Sequence, residues 1–225
     1  MGDDLAADIT SVAALGEPVR RDLYRYVVAQ DEPVSRESAA TATGVAHHVA
    51  KFNLDRLVTD GLLEVEYRRP PGRSGPGAGR PTKLYRRAAR DISVSLPERH
   101  YDLAGQILAE AITITERDHV PMSTALHTAA REAGRHLADS PAAASGTQHP
   151  ICTALARAGY EPRTVDGEVL LANCPFHNLA QRYTALVCGV NLDLIDGLLE
   201  ALDADDLHAR LDPGPDRCCV TIGRD

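Results

Sequence analysis

Tryptophan is absent from the 225 residues, and phenylalanine and methionine occur twice each. A core must therefore be assembled mostly from Leu, Val, Ile and Ala. No run approaches the roughly 18 continuous apolar residues of a membrane span, so no membrane contact is expected. The opening MGDDLAAD is acidic and lacks the basic start and apolar run of a signal peptide. Five cysteines, an odd number with two adjacent, do not form a disulfide framework and point to a reducing cytoplasm. Phosphate loops of the P-loop type, G-x-S-x-G, H-E-x-x-H and C-x-x-C are all missing, so the chain does not read as an enzyme or a thiol oxidoreductase. What remains is ordinary for a globular protein, with 44% hydrophobic and 25% charged residues, and the length suits one large domain or two smaller ones.

The charge is unevenly spread. Residues 1–90 hold 14 Lys/Arg against 12 Asp/Glu, whereas residues 91–225 hold 10 against 20. Within the first part, residues 67–90 contain Arg68, Arg69, Arg73, Arg80, Lys83, Arg86, Arg87 and Arg90 and no carboxylate. A dense basic segment in an acidic protein is suited to a polyanion; a solvated basic loop is the plainer alternative.

Periodicity supplies the order of elements. Helical spacing over 5–15 stops at Gly16, and a second helix opens at Glu17-Pro18 and breaks at Asp31-Glu32-Pro33. Ser35 is a natural N-cap for a short helix running to Gly44. The next helix carries Val45, Ala50, Leu54, Leu57 and Val58 on one face and closes at Gly61. The period then changes to two in LLEVEY, with Leu63, Val65 and Tyr67 on one side, and TKLYRRA returns after a Pro/Gly-rich tip. Helices, a tight glycine turn and a hairpin in this order make a winged helix-turn-helix.

Further on, a long helix is expected from about Pro97 to His119 and another from Ser123 to Ala138, followed by a linker, DSPAAASGTQHP. A short helix over 151–158 precedes two strands joined by Asp166-Gly167, a strong hairpin signal. HNLAQRYTALVCGVNLDLIDGLLEAL reads as one long helix, and RCCVTI as a final strand.

The segment GVAHHVAKFNLDRLVTDGLLEV, with GRPTKLY after it, resembles the winged-helix regulators of the ArsR type. The closer resemblance is to bacterial regulators that join such a head to a cysteine-bearing C-terminal domain, SufR-like proteins among them. The head match covers about residues 10–90, and the resemblance implies a sequence-specific DNA-binding transcriptional regulator, more often a repressor. On the recognition helix, His47, His48, Lys51 and Arg56, with Asn53, lie opposite the packing stripe. Asn can read adenine and Arg guanine through paired hydrogen bonds, whereas Lys suits phosphate. Each could instead be an ordinary solvated position. Arg68, Arg69, Arg73, Arg80 and Lys83 belong to the wing. There, Gly79-Arg80-Pro81 matches the tripeptide that lays an AT-hook arginine in a narrow minor groove.

The C-terminal cysteines are the second candidate site. The Cys174-x13-Cys188 spacing, with a cysteine farther on, is similar to the SufR-like pattern, which implies an iron–sulfur cluster. His177 follows Cys174 with C-x-x-H spacing, so the candidate ligands are Cys174, His177, Cys188, Cys218 and Cys219. Two geometric expectations oppose a shared site. If a helix begins near Leu179, Cys188 lies roughly 13–14 Å along it. If Cys218 and Cys219 begin a strand, only one can face the others. The cysteines therefore read as ligands, as a thiol switch or as small buried hydrophobes.

The expected fold is α+β: a winged helix-turn-helix over 1–90, a helical connector and dimerisation region over 91–140, and a small α+β sensor domain over 147–225. Expected partners are a double-stranded DNA operator and a second copy, since two-fold operators match two-fold proteins and one recognition helix seldom suffices. The helices over 5–15 and 97–119 are the expected dimer surfaces. The alternative keeps the head and gives the C-terminal domain a pocket for an organic effector, with structural cysteines and no cofactor. If Arg80 enters the minor groove, Arg80→Ala weakens operator binding by about 1–3 kcal/mol and relaxes a flanking A·T preference. Anisotropy titrations on duplexes with A·T and G·C flanks check this.

Overall fold

The computed structural model describes residues 2–69, 81–138 and 150–224. The chain divides into two compact units, Met1–Val94 and Ser95–Asp225. Among the described residues, no helix is long and apolar enough to cross a membrane.

The first unit starts with α1 (Gly2–Ala14) and α2 (Pro18–Val28). Glu17 caps α2, its carboxylate accepting from the Val19 and Arg20 amides, with Pro18 pre-set for the first turn. Strand β1 (Val34–Ser35) leads into α3 (Arg36–Thr43). Ser35 serves twice here, as a strand residue and as the α3 N-cap that accepts from the Ser38 amide at 3.0 Å. Gly44, at φ +70°, ends α3 in the left-handed conformation and turns the chain into α4 (His47–Thr59). Strands β2 (Leu63–Arg68) and β3 (Thr82–Arg87) form the antiparallel hairpin, paired from Leu63 with Arg87 to Arg68 with Thr82. β1 adds to the free edge of β3, giving the order β1-β3-β2. Sequence periodicity missed β1, because two residues after Pro33 are too few to show alternation.

Leu23, Val27, Leu54, Leu57, Leu63 and Tyr85 are the centre of this unit's core. Each fully buried aliphatic side chain contributes about 1.5–3 kcal/mol of transfer free energy. α1 is held by more than apolar contact. The buried Ser11 hydroxyl donates to the Asp60 carbonyl at 2.6 Å, and Arg90 pairs with Asp8.

The second unit contains α5 (Tyr101–Asp118), α6 (Met122–Ala138), α7 (Pro150–Arg157), β4 (Pro162–Val165), β5 (Glu168–Leu171), α8 (His177–Arg182), α9 (Thr184–Ala201), β6 (His208–Leu211) and β7 (Val220–Gly223). Its sheet is antiparallel in the order β4-β5-β7-β6. Asp166 and Gly167 both take positive φ, the backbone a two-residue hairpin requires.

Two sequence expectations change. Residues 91–140 do not stand apart as a connector. Ile107 and Ala111 of α5 and Ala125 and Ala129 of α6 share one core with Leu194, Ile195 and Leu198 of α9. Their apolar faces are buried by the C-terminal elements, so the division falls between Val94 and Ser95 instead. Most of the DSPAAASGTQHP stretch lies outside the described residues. The long helix after residue 176 is also two helices, broken at Tyr183 (φ −131°, ψ 50°).

Helices α6 and α9 approach through glycine. A Cβ on Gly134 would stand 2.0 Å from the Leu194 carbonyl oxygen, and one on Gly197 would stand 2.1 Å from that of Arg131. Backbone cannot yield as a flexible side chain can, so Gly197→Ala forces the helices apart. The expected loss of stability is at least the 1–3 kcal/mol typical of overpacking, read as a lowered midpoint in urea or thermal unfolding.

Candidate nucleic-acid interface and thiol cluster

Helix α4 presents two different faces. Ala50, Leu54 and Leu57 are buried, while His47, His48, Lys51 and Arg56 are exposed. Asn53 does not join the exposed set. It is only 7% exposed, donates to the Val49 carbonyl at 3.0 Å and accepts from Arg20 Nε at 3.2 Å. It ties α4 to α2 and has no free edge for a base. The signal was legible, since 50, 53, 54 and 57 form one helical face. Arg56 is half committed as well, donating to the buried Asp60 carboxylate at 2.9 Å.

A residue that sequence reasoning passed over is Phe52. Its ring is 67% exposed on the same face as His48 and Arg56, an apolar side chain suited to a thymine methyl. An aromatic outside the apolar stripe was the available clue. Arg36, at the start of α3, was also missed.

A groove of about 1210 Å³ runs between α3, α4 and the hairpin, lined by Arg36, Thr41, His47, Lys51, Tyr67 and Lys83. Asp55 organises its floor, accepting from Lys83 Nζ and from the Tyr85 hydroxyl at 2.8 Å. Partial burial opposes the Asp55 charge. The hydrogen bonds from Lys83 and Tyr85 outweigh that, and its carboxyl lies below the usual aspartate range. Tyr85 moves the other way, pushed up by burial first and then by its bond to Asp55. Lys83 also lies 5.1 Å above the Tyr85 ring.

Among the described residues, several of the wing's charges are already paired. Arg68 meets Glu66 and Glu32, and Arg86 meets Glu64 at 2.6 Å. Arg69 is exposed at the end of β2. Arg73 and Arg80 lie outside the described residues.

A helix-turn-helix domain family matches residues 15–66. The first unit is a helix-turn-helix DNA-binding domain. Domains of this kind serve in transcription regulation. No curated protein and no solved structure matches the chain.

In the second unit, four cysteines that the sequence scattered come together. Because α9 starts afresh at Thr184, Cys188 sits in its second turn, not far along a continuous helix. Cys174 lies in the loop after β5. Cys218 and Cys219 precede β7 in irregular backbone, so strand alternation does not separate them. The Cys218 amide donates to the Leu171 carbonyl at 2.8 Å, which pins this loop beside β5. The Cys174 and Cys219 thiols both hydrogen-bond to Cys218, and Cys188 bonds to Cys219.

Cys218 is the electrostatic focus. Thiol donation from Cys174 and Cys219 outweighs burial, the Val220 amide adds to it, and Asn191 Nδ2 donates at 3.1 Å. These donors hold the Cys218 thiol well below the ordinary range, while Cys174 and Cys219 are pushed up because each keeps its proton on a bond to Cys218. Asn191 is itself oriented by the buried Tyr160 hydroxyl, which donates to its carbonyl oxygen.

His177 does not join them. Its ring meets Gln181 at 2.9 Å on the exposed side of α8, because C-x-x-H spacing here places the histidine on a helix start. Cys152 lies apart in α7, half-buried, with its thiol bonded to Thr164 and pushed up by burial. Among the described residues, no group of three or more His, Cys, Asp or Glu side chains stands in a metal-holding arrangement.

The placement of Lys51 and Asn53 separates two kinds of variant. Lys51→Ala should weaken DNA binding on all sequences alike and reduce the salt slope by about one. Asn53→Ala should leave sequence preference unchanged and lower stability by about 1–3 kcal/mol, because Arg20 loses its acceptor. Anisotropy titrations at several salt concentrations, alongside urea unfolding, distinguish the two.

Proposed function

We propose that this chain is a sequence-specific transcriptional repressor that binds its operator as a homodimer and whose DNA affinity answers to redox or iron–sulfur status at the thiol cluster. The observation that carries the reading is the convergence of Cys174, Cys188, Cys218 and Cys219 in one unit while a DNA-binding domain occupies the other. Exposed apolar positions on α5, Tyr101, Leu108 and Ile112, support pairing with a second copy, as do Ile9 and Val12 on α1.

Cysteine thiolates are the donors that iron–sulfur clusters use, so the residue types suit such a group, although these thiols do not stand in a metal-holding arrangement. Cys174, Cys188, Cys218 and Cys219 would hold it. When bound, it supplies one-electron redox chemistry and a reason for the sensor to exist in two states. The chain's own contribution is a buried pocket in which the Asn191 amide and the Val220 N–H donate to the Cys218 sulfur. Hydrogen bonds to cysteine sulfur are among the levers that set the potential of such a group.

A cleft in the second unit favours the organic-effector reading. It encloses about 820 Å³, within the range of small-molecule sites, and is lined by Leu96, Pro97, Glu98, Cys152, Tyr160 and Thr164.

An absorbance spectrum of anaerobically purified protein tests the cysteine reading, since a cluster is coloured. Cys188→Ser should abolish the colour and change operator affinity by about tenfold while the head stays folded. A colourless, metal-free wild type that binds its operator equally under reducing and oxidising conditions overturns it. The organic-effector reading then leads.

A further inference from the structure

The loop that carries Cys174 is fastened to the residues through which the chain enters the second unit. Val94 closes the first unit and Ser95 opens the second. A few residues on, Arg99 Nη1 donates to the Asn173 carbonyl oxygen and to the Cys174 backbone carbonyl at 3.3 Å. Asn173 Nδ2 donates to the Glu98 carbonyl at 3.0 Å and to the Gly159 carbonyl at 2.6 Å. The His100 amide donates to the Pro175 carbonyl at 3.2 Å. Residues 98–100 and 173–175 are thus cross-tied through both backbone and side chains.

The residue types suit the task. A carboxamide offers one acceptor and two donors in a plane, and Asn173 uses both kinds. Aspartate would lose the donors and leucine everything. Arg99 supplies a fork whose one nitrogen serves Asn173, Cys174 and the Glu98 carbonyl together. Asn173 is 6% exposed, so water cannot easily replace its partners. The thiol of its neighbour, Cys174, makes a hydrogen bond to Cys218. One short loop therefore has the thiol cluster on one side and the inter-unit segment on the other.

We propose that Asn173 and Arg99 are positioning residues that couple the thiol cluster to the segment joining the two units. This rests on the sensing function proposed above. A change of state that displaces Cys174 either carries residues 98–100 with it or strands buried polar groups, so the two segments move together. Because Glu98 to His100 come a few residues after Val94, the last residue of the DNA-binding unit, that movement is delivered to the covalent tether of the head.

Hydrogen–deuterium exchange on the full-length protein, with Asn173→Ala and the milder Arg99→Lys, tests the link. Both variants should speed exchange about tenfold in residues 95–101 and in 172–177 alike, leaving 107–114 and 220–223 at wild-type rates. Loosening of one segment alone, or of the whole unit, overturns the proposal. The functional arm uses a duplex selected from a random-sequence pool by the wild-type protein, with dithiothreitol-reduced and diamide-oxidised samples. Wild-type affinity should differ about tenfold between the two states, and that of the variants less than twofold. Variants that keep the wild-type difference overturn the coupling. A wild type with no difference, whose two segments still loosen together, sinks the sensing function and leaves the mechanical link standing.

Discussion

The second unit depends on the glycine contact between α6 and α9. Gly134 and Gly197 let the two backbones touch where any side chain would hold them apart. That contact fixes α9 as a rigid rod, with Leu194, Ile195 and Leu198 sealed in the core. Cys188 and Asn191 ride on the same rod, one turn apart and toward its start. Their meeting with Cys218 is therefore a consequence of helix packing, aided by the backbone bond from Cys218 to Leu171. Loosening the helix pair would disperse the sulfur site even though neither glycine touches a cysteine. Packing and chemistry are here one constraint.

In the DNA-binding unit the organising interactions are ionic. Arg68, Arg86 and Lys83 each rest against carboxylates, and Arg56 against Asp60. The pairs of Arg68, Arg86 and Lys83 are largely exposed and add little to stability. Their larger effect is on binding. An arginine that leaves Glu66 for a phosphate exchanges one anion for another, so the gain is smaller than for a cation facing only solvent and counterions. The salt dependence of binding thus counts the cations that are not already neutralised within the protein. Basic composition over 67–90 overstates that number, because Glu32, Asp55, Glu64 and Glu66 come from elsewhere in the chain.

Much of the first unit was legible in the sequence because its determinants are local. Ser35, Gly44 and Gly61 act within a turn of where they stand, and the change from a 3.6 to a 2 period marked the hairpin. Asn53 was misassigned to the base-reading face because its type suggested adenine, although its position on the Ala50, Leu54 and Leu57 face said otherwise. In the second unit, the readings that failed concerned non-local or unmarked events. Nothing such as proline or glycine announces the break at Tyr183, so the whole segment read as one helix. That missing break put Cys188 too far from Cys174 on paper. Asn173 and Arg99 left no trace at all, since a buried amide bonding three partners has no periodicity to detect.

The scale of these interactions suits regulation. Coupling between distant sites in proteins is typically about 1–3 kcal/mol. A single intramolecular hydrogen bond contributes about 0.5–1.5 kcal/mol net, and a stranded buried polar group costs about 1–3 kcal/mol. The bonds from Arg99, Asn173 and His100 to their partners are therefore enough to carry a signal of ordinary size, and too few to make the loop immovable. If the thiol cluster sets DNA affinity as proposed, linkage makes the effect reciprocal, and DNA that holds the head in one conformation also biases the cluster. On that proposal the bias is equal in size, and the equilibrium between the two cluster states shifts on DNA binding by the same factor as separates their DNA affinities.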